Sequence, residues 1–195
     1  MKDHDKDALL LIDIQNDYFP GGKMELAGAE TAARQAAKLL QCWRDRLLPV
    51  VHVAHESVRP GGGFFLPGTA GQKIHPMVSP RPEEPVITKN FPNSFLKTPL
   101  LETLRAQGVH RLVIVGMMTH MCVDATVRAA KDLGFHCTLV HDATATRDLA
   151  FAGNTTPAAQ VQTAFIAALS AVCDGVFAAE EIACEGATPP VRPAP

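Results

Sequence analysis

The chain reads as one α/β domain, three layers deep (α/β/α), built on a mostly parallel sheet of five or six strands. Three observations predict this. Short runs that are apolar at nearly every position suit strands buried on both faces. Stretches rich in helix formers alternate with those runs, the rhythm of strand–helix–strand units joined by right-handed crossovers. The 195 residues suffice for a sizeable core, and no internal repeat or composition break divides them.

The elements follow in order. Ala8-Leu9-Leu10-Leu11-Ile12 is the first strand and closes at Asp13. Ala29 to Leu47 is helical, with apolar residues at Ala32, Ala36, Leu39 and Leu40. Pro49 to Ala54, rich in β-branched residues, is the second strand, and Pro85 to Thr88 the third. Thr98 to Gln107 is a helix stopped by Gly108. Arg111 to Val115 is the fourth strand; Cys122 to Leu133 is a helix stopped in the same way by Gly134. Cys137 to Val140 is the fifth strand. Thr155-Thr156-Pro157 supplies a cap and a first-turn proline for a helix over Thr156 to Val172. Gly175-Val176-Phe177 is the sixth strand. Residues 14–28 and 56–84 are Gly- and Pro-rich loops that leave strands at the carboxyl edge, where open α/β sheets bind ligands. The domain is expected to cover 1–186, with the Pro-rich tail 187–195 disordered.

Bulk composition removes several function classes. Hydrophobic residues make up 47% and charged residues 19%, ordinary for a globular domain. A net charge of -2, without basic runs or a series of stacking aromatics, argues against nucleic acid as a partner. No apolar run approaches the ~18 residues of a membrane span, and the charged start Met1 to Asp7 lacks the apolar core of a signal peptide. The expected compartment is the cytoplasm. Five scattered cysteines without a CxxC fit reduced thiols.

The chemistry concentrates in Gly116-Met117-Met118-Thr119-His120-Met121-Cys122-Val123-Asp124, a strand–turn–helix passage. A thiol in the first turn of a helix meets the positive end of the dipole and unpaired N–H groups, both of which favour a thiolate. Asp13 closes the first strand and Lys89 follows the third. Carboxylate, ammonium and thiol therefore converge at neighbouring strand ends, the parts of an activated nucleophile.

The segment Asp13-Ile14-Gln15-Asn16-Asp17-Tyr18-Phe19, the lone Lys89 and the Gly-x-x-Thr-x-x-Cys-Val of 116–123 together resemble the isochorismatase-like cysteine hydrolase superfamily, a Rossmann-type fold. Its members include nicotinamidases, carbamoylsarcosine-type and ureidoacrylate amidohydrolases, and streptothricin hydrolase. The resemblance spans roughly residues 8–172 and implies a triad of Asp13, Lys89 and Cys122. It further implies a non-proline cis peptide at Met117–Met118, and an oxyanion hole from the N–H groups of Met118 and Cys122. The metal-binding Asp-x-His of nicotinamidases is absent: the chain reads His55-Glu56-Ser57. The expectation is a metal-independent hydrolase without cofactors that cleaves a small amide, carbamoyl or lactam-type C–N bond through a thioester. Vinyl-ether hydrolysis of the isochorismatase kind is the alternative, and a non-catalytic binding or redox-sensing role the second.

Other residues have plainer readings. Cys42, Cys137, Cys173 and Cys184 read as structural, and Asn16 and Asp17 as loop-ordering hydrogen bonders. His52 and His55, three apart on a strand, point to opposite faces and do not easily share a metal; with His75 they would form a site only if the strand ended at Ala54. Neither Gly61-Gly62-Gly63 nor Gly21-Gly22-Lys23 has the form of a phosphate loop. Phe19, Phe64, Phe65, Phe95 and His120 are candidate substrate contacts. The expected partner is a small molecule, with neither nucleic acid nor membrane. The Ala-rich helices at 29–40 and 158–171 suggest a homodimer or homotetramer.

Overall fold

A computed structural model describes residues 6–182. The Pro-rich segment 187–195 and the end of the expected 1–186 domain lie outside them. Six strands form one parallel sheet: β1 (Lys6–Ile12), β2 (Val50–His55), β3 (Val86–Lys89), β4 (Val109–Met117), β5 (His136–Ala145) and, after a hairpin, β8 (Gly175–Phe177). Their spatial order is β3-β2-β1-β4-β5-β8. The chain builds outward one way from β1 to β3, then restarts at β4 on the other side of β1. The carboxyl ends of β1 and β4 thus flank the topological switch point, the place where open α/β sheets bind ligands.

Both faces of the central strands β1, β2 and β4 are buried, as their apolar runs require, whereas the edge strand β3 alternates, with Val86 46% exposed. Along β1, Leu9 and Leu11 pack toward α1 (Ala29–Asp45). The alternate residues Ala8, Leu10 and Ile12 join Leu100 and Leu104 of α2 (Leu100–Ala106), Val127 of α3 (Asp124–Asp132) and Leu169 of α4 (Ala158–Ser170). A side chain at Gly116 would place its Cβ 2.0 Å from the Ile12 carbonyl oxygen. Only glycine lets β4 lie this close to β1 at the switch point.

Four expectations change. The small residues of α1 are core, not spare surface: Ala32, Ala33, Ala36, Leu39 and Leu40 are buried against the sheet. Small side chains let the helix sit close. Residues 154–156 do not open a helix. They form β7 (Asn154–Thr156), which pairs antiparallel with β6 (Leu149–Phe151), and α4 starts after Pro157. The turn between them places Ala152 and Gly153 at φ of 50° and 80°, the tight hairpin type with two left-handed residues. The helix expected from Cys122 begins instead with a π-helical turn, Thr119–Val123, that runs into α3. Finally, Cys42 is disulfide-bonded, so the cysteines are not all reduced, whereas Cys122, Cys137 and Cys173 are free.

Candidate active site

Three strand ends deliver the site. Asp13 follows β1 in a left-handed backbone conformation, φ 50°, which aspartate tolerates better than most residues. Its N–H still bonds to the Val53 carbonyl, so the side chain leaves the sheet edge at a fixed angle. Lys89 is the last residue of β3, and its register partner His55 is the last of β2. Cys122 sits in the wide π turn, where the N–H groups of Met121 and Val123 both bond to the Met118 carbonyl. Turns of this kind recur at functional sites. The Met117–Met118 peptide just before it is cis.

The side chains meet underground. Lys89 Nζ lies 2.6 Å from Asp13 Oδ2 and 3.2 Å from Cys122 Sγ. It lies 3.1 Å from His55 Nδ1. Asp13, Lys89 and Cys122 are exposed by only 0%, 1% and 4%, so these contacts act with little solvent screening. Asp13 Oδ1 is buried without a hydrogen-bond partner. Such an atom is costly unless something supplies a proton to it.

The electrostatics correct the expectation of a resting thiolate. Burial pushes the Cys122 thiol well up, and the Asp13 carboxylate adds to that; Lys89 pulls the other way without prevailing. The helix dipole is thus outweighed by desolvation. Burial alone would favour neutral Lys89, but Asp13 and then Cys122 hold its ammonium charge more firmly than in water. Burial followed by the Lys89 charge lowers His55, which leaves its ring neutral and able to accept from Lys89. Burial thus opposes the Cys122 thiolate, while its neighbours favour the Lys89 ammonium.

Donor atoms of Asp13, His55 and Cys122 lie within 4.8 Å of one another, a spacing that could hold a metal. The set does not fit one. The Lys89 ammonium stands among all three donors and already takes the place of a cation. His52 points away from the site and bonds to Glu84, which also pairs with Arg44.

A cavity of about 710 Å³ reaches Cys122. Of the candidate substrate contacts, Phe64 lines it; so do Tyr18, Phe91, Met118 and His55. The others do not. Phe19 stacks on His75 at 3.7 Å in the core. Phe65 is fully buried, its N–H bonded to the Asp17 carboxylate. Phe95 stacks on Phe135, and His120 turns toward Thr146 and Phe165. The remaining polar residues of the 13–17 segment fasten the loop 56–84. Gln15 bonds to the backbone of His55 and Gln72, Asn16 to the Ala70 carbonyl, and Asp17 to the N–H groups of Lys23 and Phe65. His55 is the site residue the sequence reading passes over, although it ends a strand at the same edge as Asp13 and Lys89.

Known proteins resemble the chain in sequence and fold. The Isochorismatase domain model matches residues 7–172. An uncharacterised isochorismatase family protein of Bacillus subtilis, YddQ, is 50% identical over 165 residues, covering 85% of this chain and 92% of the relative. A streptothricin hydrolase of Streptomyces noursei is 34% identical over 191 residues, covering 96% of this chain and 67% of the relative. A crystal structure assigned to the isochorismatase hydrolases, from Oleispira antarctica, is 51% identical with a TM-score of 0.90, covering 95% of this chain and 100% of that one. With the domain matched nearly end to end and the fold shared with a half-identical structure, the chain belongs to the isochorismatase family of hydrolases.

Proposed function

We propose that the protein is a metal-independent cysteine hydrolase of a small amide or carbamoyl compound. The observation that carries this reading is Lys89 Nζ set between Asp13 Oδ2 and Cys122 Sγ, with Asp13 Oδ1 left open. Two proton arrangements share one net charge: carboxylate with thiol, and carboxylic acid with thiolate. Moving the proton from Cys122 to Asp13 therefore costs no net charge burial. Lys89 stabilises the anion in either state.

Attack follows from that transfer. Cys122 Sγ bonds to the substrate carbonyl carbon as its proton passes to Asp13. The oxygen takes the negative charge and is held by the N–H groups of Met118 and Cys122. Asp13 then gives the proton to the departing nitrogen, the C–N bond breaks, and a thioester remains. Water, deprotonated by Asp13, attacks the thioester; the acid leaves, and the proton returns to sulfur. His55 accepts from Lys89 and holds the ammonium in line. The presence of the thiol supports hydrolysis of a C–N bond over a vinyl ether, and a relative named for the hydrolysis of streptothricin is consistent with a small-molecule substrate.

A screen of small amides and ureido compounds for ammonia release, run with EDTA present, tests the reading. At least one compound should be turned over at a rate indifferent to the chelator. Turnover that needs zinc or manganese, or a vinyl ether as the sole substrate class, would refute it.

We also propose a homo-oligomer. Helix α4 carries no charged residue, yet only Ala158, Val161 and Leu169 of its residues are buried. Beside it, Phe151 at the tip of the β6–β7 hairpin is 87% exposed. Light scattering at micromolar concentration should give a mass of two or four chains; a mass near 20.9 kDa would leave α4 an ordinary surface helix.

A further inference from the structure

The charge on the cavity wall carries information about the substrate that the hydrolytic machinery does not. Most of the wall is apolar side chain or glycine backbone, including Val58, Phe64, Phe91 and Met121. Neither aspartate nor glutamate lines it. Asp13 lies wholly below the surface, with one oxygen committed to Lys89. Arg59 supplies the one guanidinium among the lining residues. It is exposed and forms no ion pair among the described residues. A second guanidinium, Arg147, lies near enough for its charge to bear on Tyr18, which lines the cavity, and on His120. Arg147 likewise has no acidic partner among the described residues. The wall thus presents one cation and no anion.

We infer that the substrate carries a carboxylate, which Arg59 grips at the mouth of the cavity while the scissile carbonyl reaches Cys122. A guanidinium matches a carboxylate with two parallel hydrogen bonds, so the contact would orient the molecule as well as attract it. The apolar wall between the two ends suits a short hydrocarbon or aromatic body, and the volume of about 710 Å³ lies within the range of small-molecule sites. A cationic amide would meet repulsion at the same place. This inference rests on the hydrolase reading for the identity of the scissile bond, but not for the anion contact itself.

The contact can be tested without knowing the substrate. 4-(Iodoacetamido)benzoate and its methyl ester are one electrophile with and without a carboxylate, which stands an aromatic ring away from the reactive carbon. Their alkylation rates at Cys122, read by peptide mass spectrometry and normalised to free cysteine, report the preference of the cavity for an anion. The acid-to-ester ratio should exceed that of free cysteine by on the order of tenfold, the scale of one charge-assisted pair. Because Lys89 also attracts anions, the decisive comparison is Arg59→Ala, which should lower the ratio several-fold, with Arg59→Lys between. An equal ratio in wild type and Arg59→Ala overturns the inference, and so does failure of both reagents to reach Cys122. A matched pair of amides, one ending in carboxylate and one in its methyl ester, separates the two readings. Turnover of both at equal kcat/KM, with no effect of Arg59→Ala, removes the anion site and leaves the hydrolase standing. Charge-selective alkylation with no amide turned over keeps the anion site and removes the hydrolase.

Discussion

Cys122→Ser is expected to lower kcat/KM on any amide the enzyme hydrolyses by at least about 10⁴-fold, the scale seen when a nucleophile is removed from an interdependent set. The reason lies in the site's base. A serine hydroxyl needs a strong, well-aligned acceptor to become nucleophilic, and here the acceptor is a carboxylate whose other oxygen is already bound to Lys89. The thiol is easier to ionise and suits the one open oxygen, Asp13 Oδ1. Serine is nearly isosteric and keeps a polar atom facing Lys89, so the melting temperature should move by only a few degrees. Steady-state kinetics with circular dichroism on the same sample checks both halves. A variant that keeps more than a tenth of wild-type turnover would mean that Cys122 is not the nucleophile.

Breaking the ion pair should act on stability as well as on chemistry. Lys89→Met strands the Asp13 carboxylate in a site with no exposure, and Asp13→Asn strands the Lys89 ammonium. Each single change should cost about 3–5 kcal/mol, the range for an uncompensated buried charge. For a domain stabilised by roughly 5–15 kcal/mol, that is a large fraction. The double variant should lose less than the sum, with a coupling of about 1–3 kcal/mol, because neither partner is left charged and alone. Urea unfolding of the four proteins measures this directly. Strict additivity would show that the two side chains do not share one electrostatic site. Both single variants should also lose turnover, Asp13→Asn through the proton carrier and Lys89→Met through its support.

Much of this site is legible in the sequence, for a physical reason. Strands buried on both faces leave apolar runs whose ends can be counted, and in a parallel sheet those ends share one edge. Asp13, Lys89 and Cys122 are found that way. His55 obeys the same rule, but its spacing from His52 draws attention to metal binding instead. The ionisation of Cys122 is not legible. A helix start announces a dipole, whereas burial of the thiol depends on how β4, the π turn and the loop after β2 close over it. The aromatic contacts fail for a related reason. Which of Phe64 and Phe65 faces the cavity depends on distant partners: the Phe65 N–H bonds to Asp17, forty-eight residues away in the chain, and its carbonyl accepts from the Ser57 N–H. The β6–β7 hairpin escapes because its strands are three residues each, too short for any periodicity to register.

The covalent step is the centre of the account, and partitioning of the acyl group tests it most directly. A hydrolysed amide is mixed with enzyme in the presence and absence of hydroxylamine, quenched in acid within one turnover, and digested for mass spectrometry. The account predicts an acyl adduct on the peptide that contains Cys122. It also predicts that hydroxylamine diverts product from the acid to the acyl hydroxamate without slowing release of the amine. Turnover that continues with no adduct on Cys122 at any quench time, and with the free acid as sole product at high hydroxylamine, would contradict it.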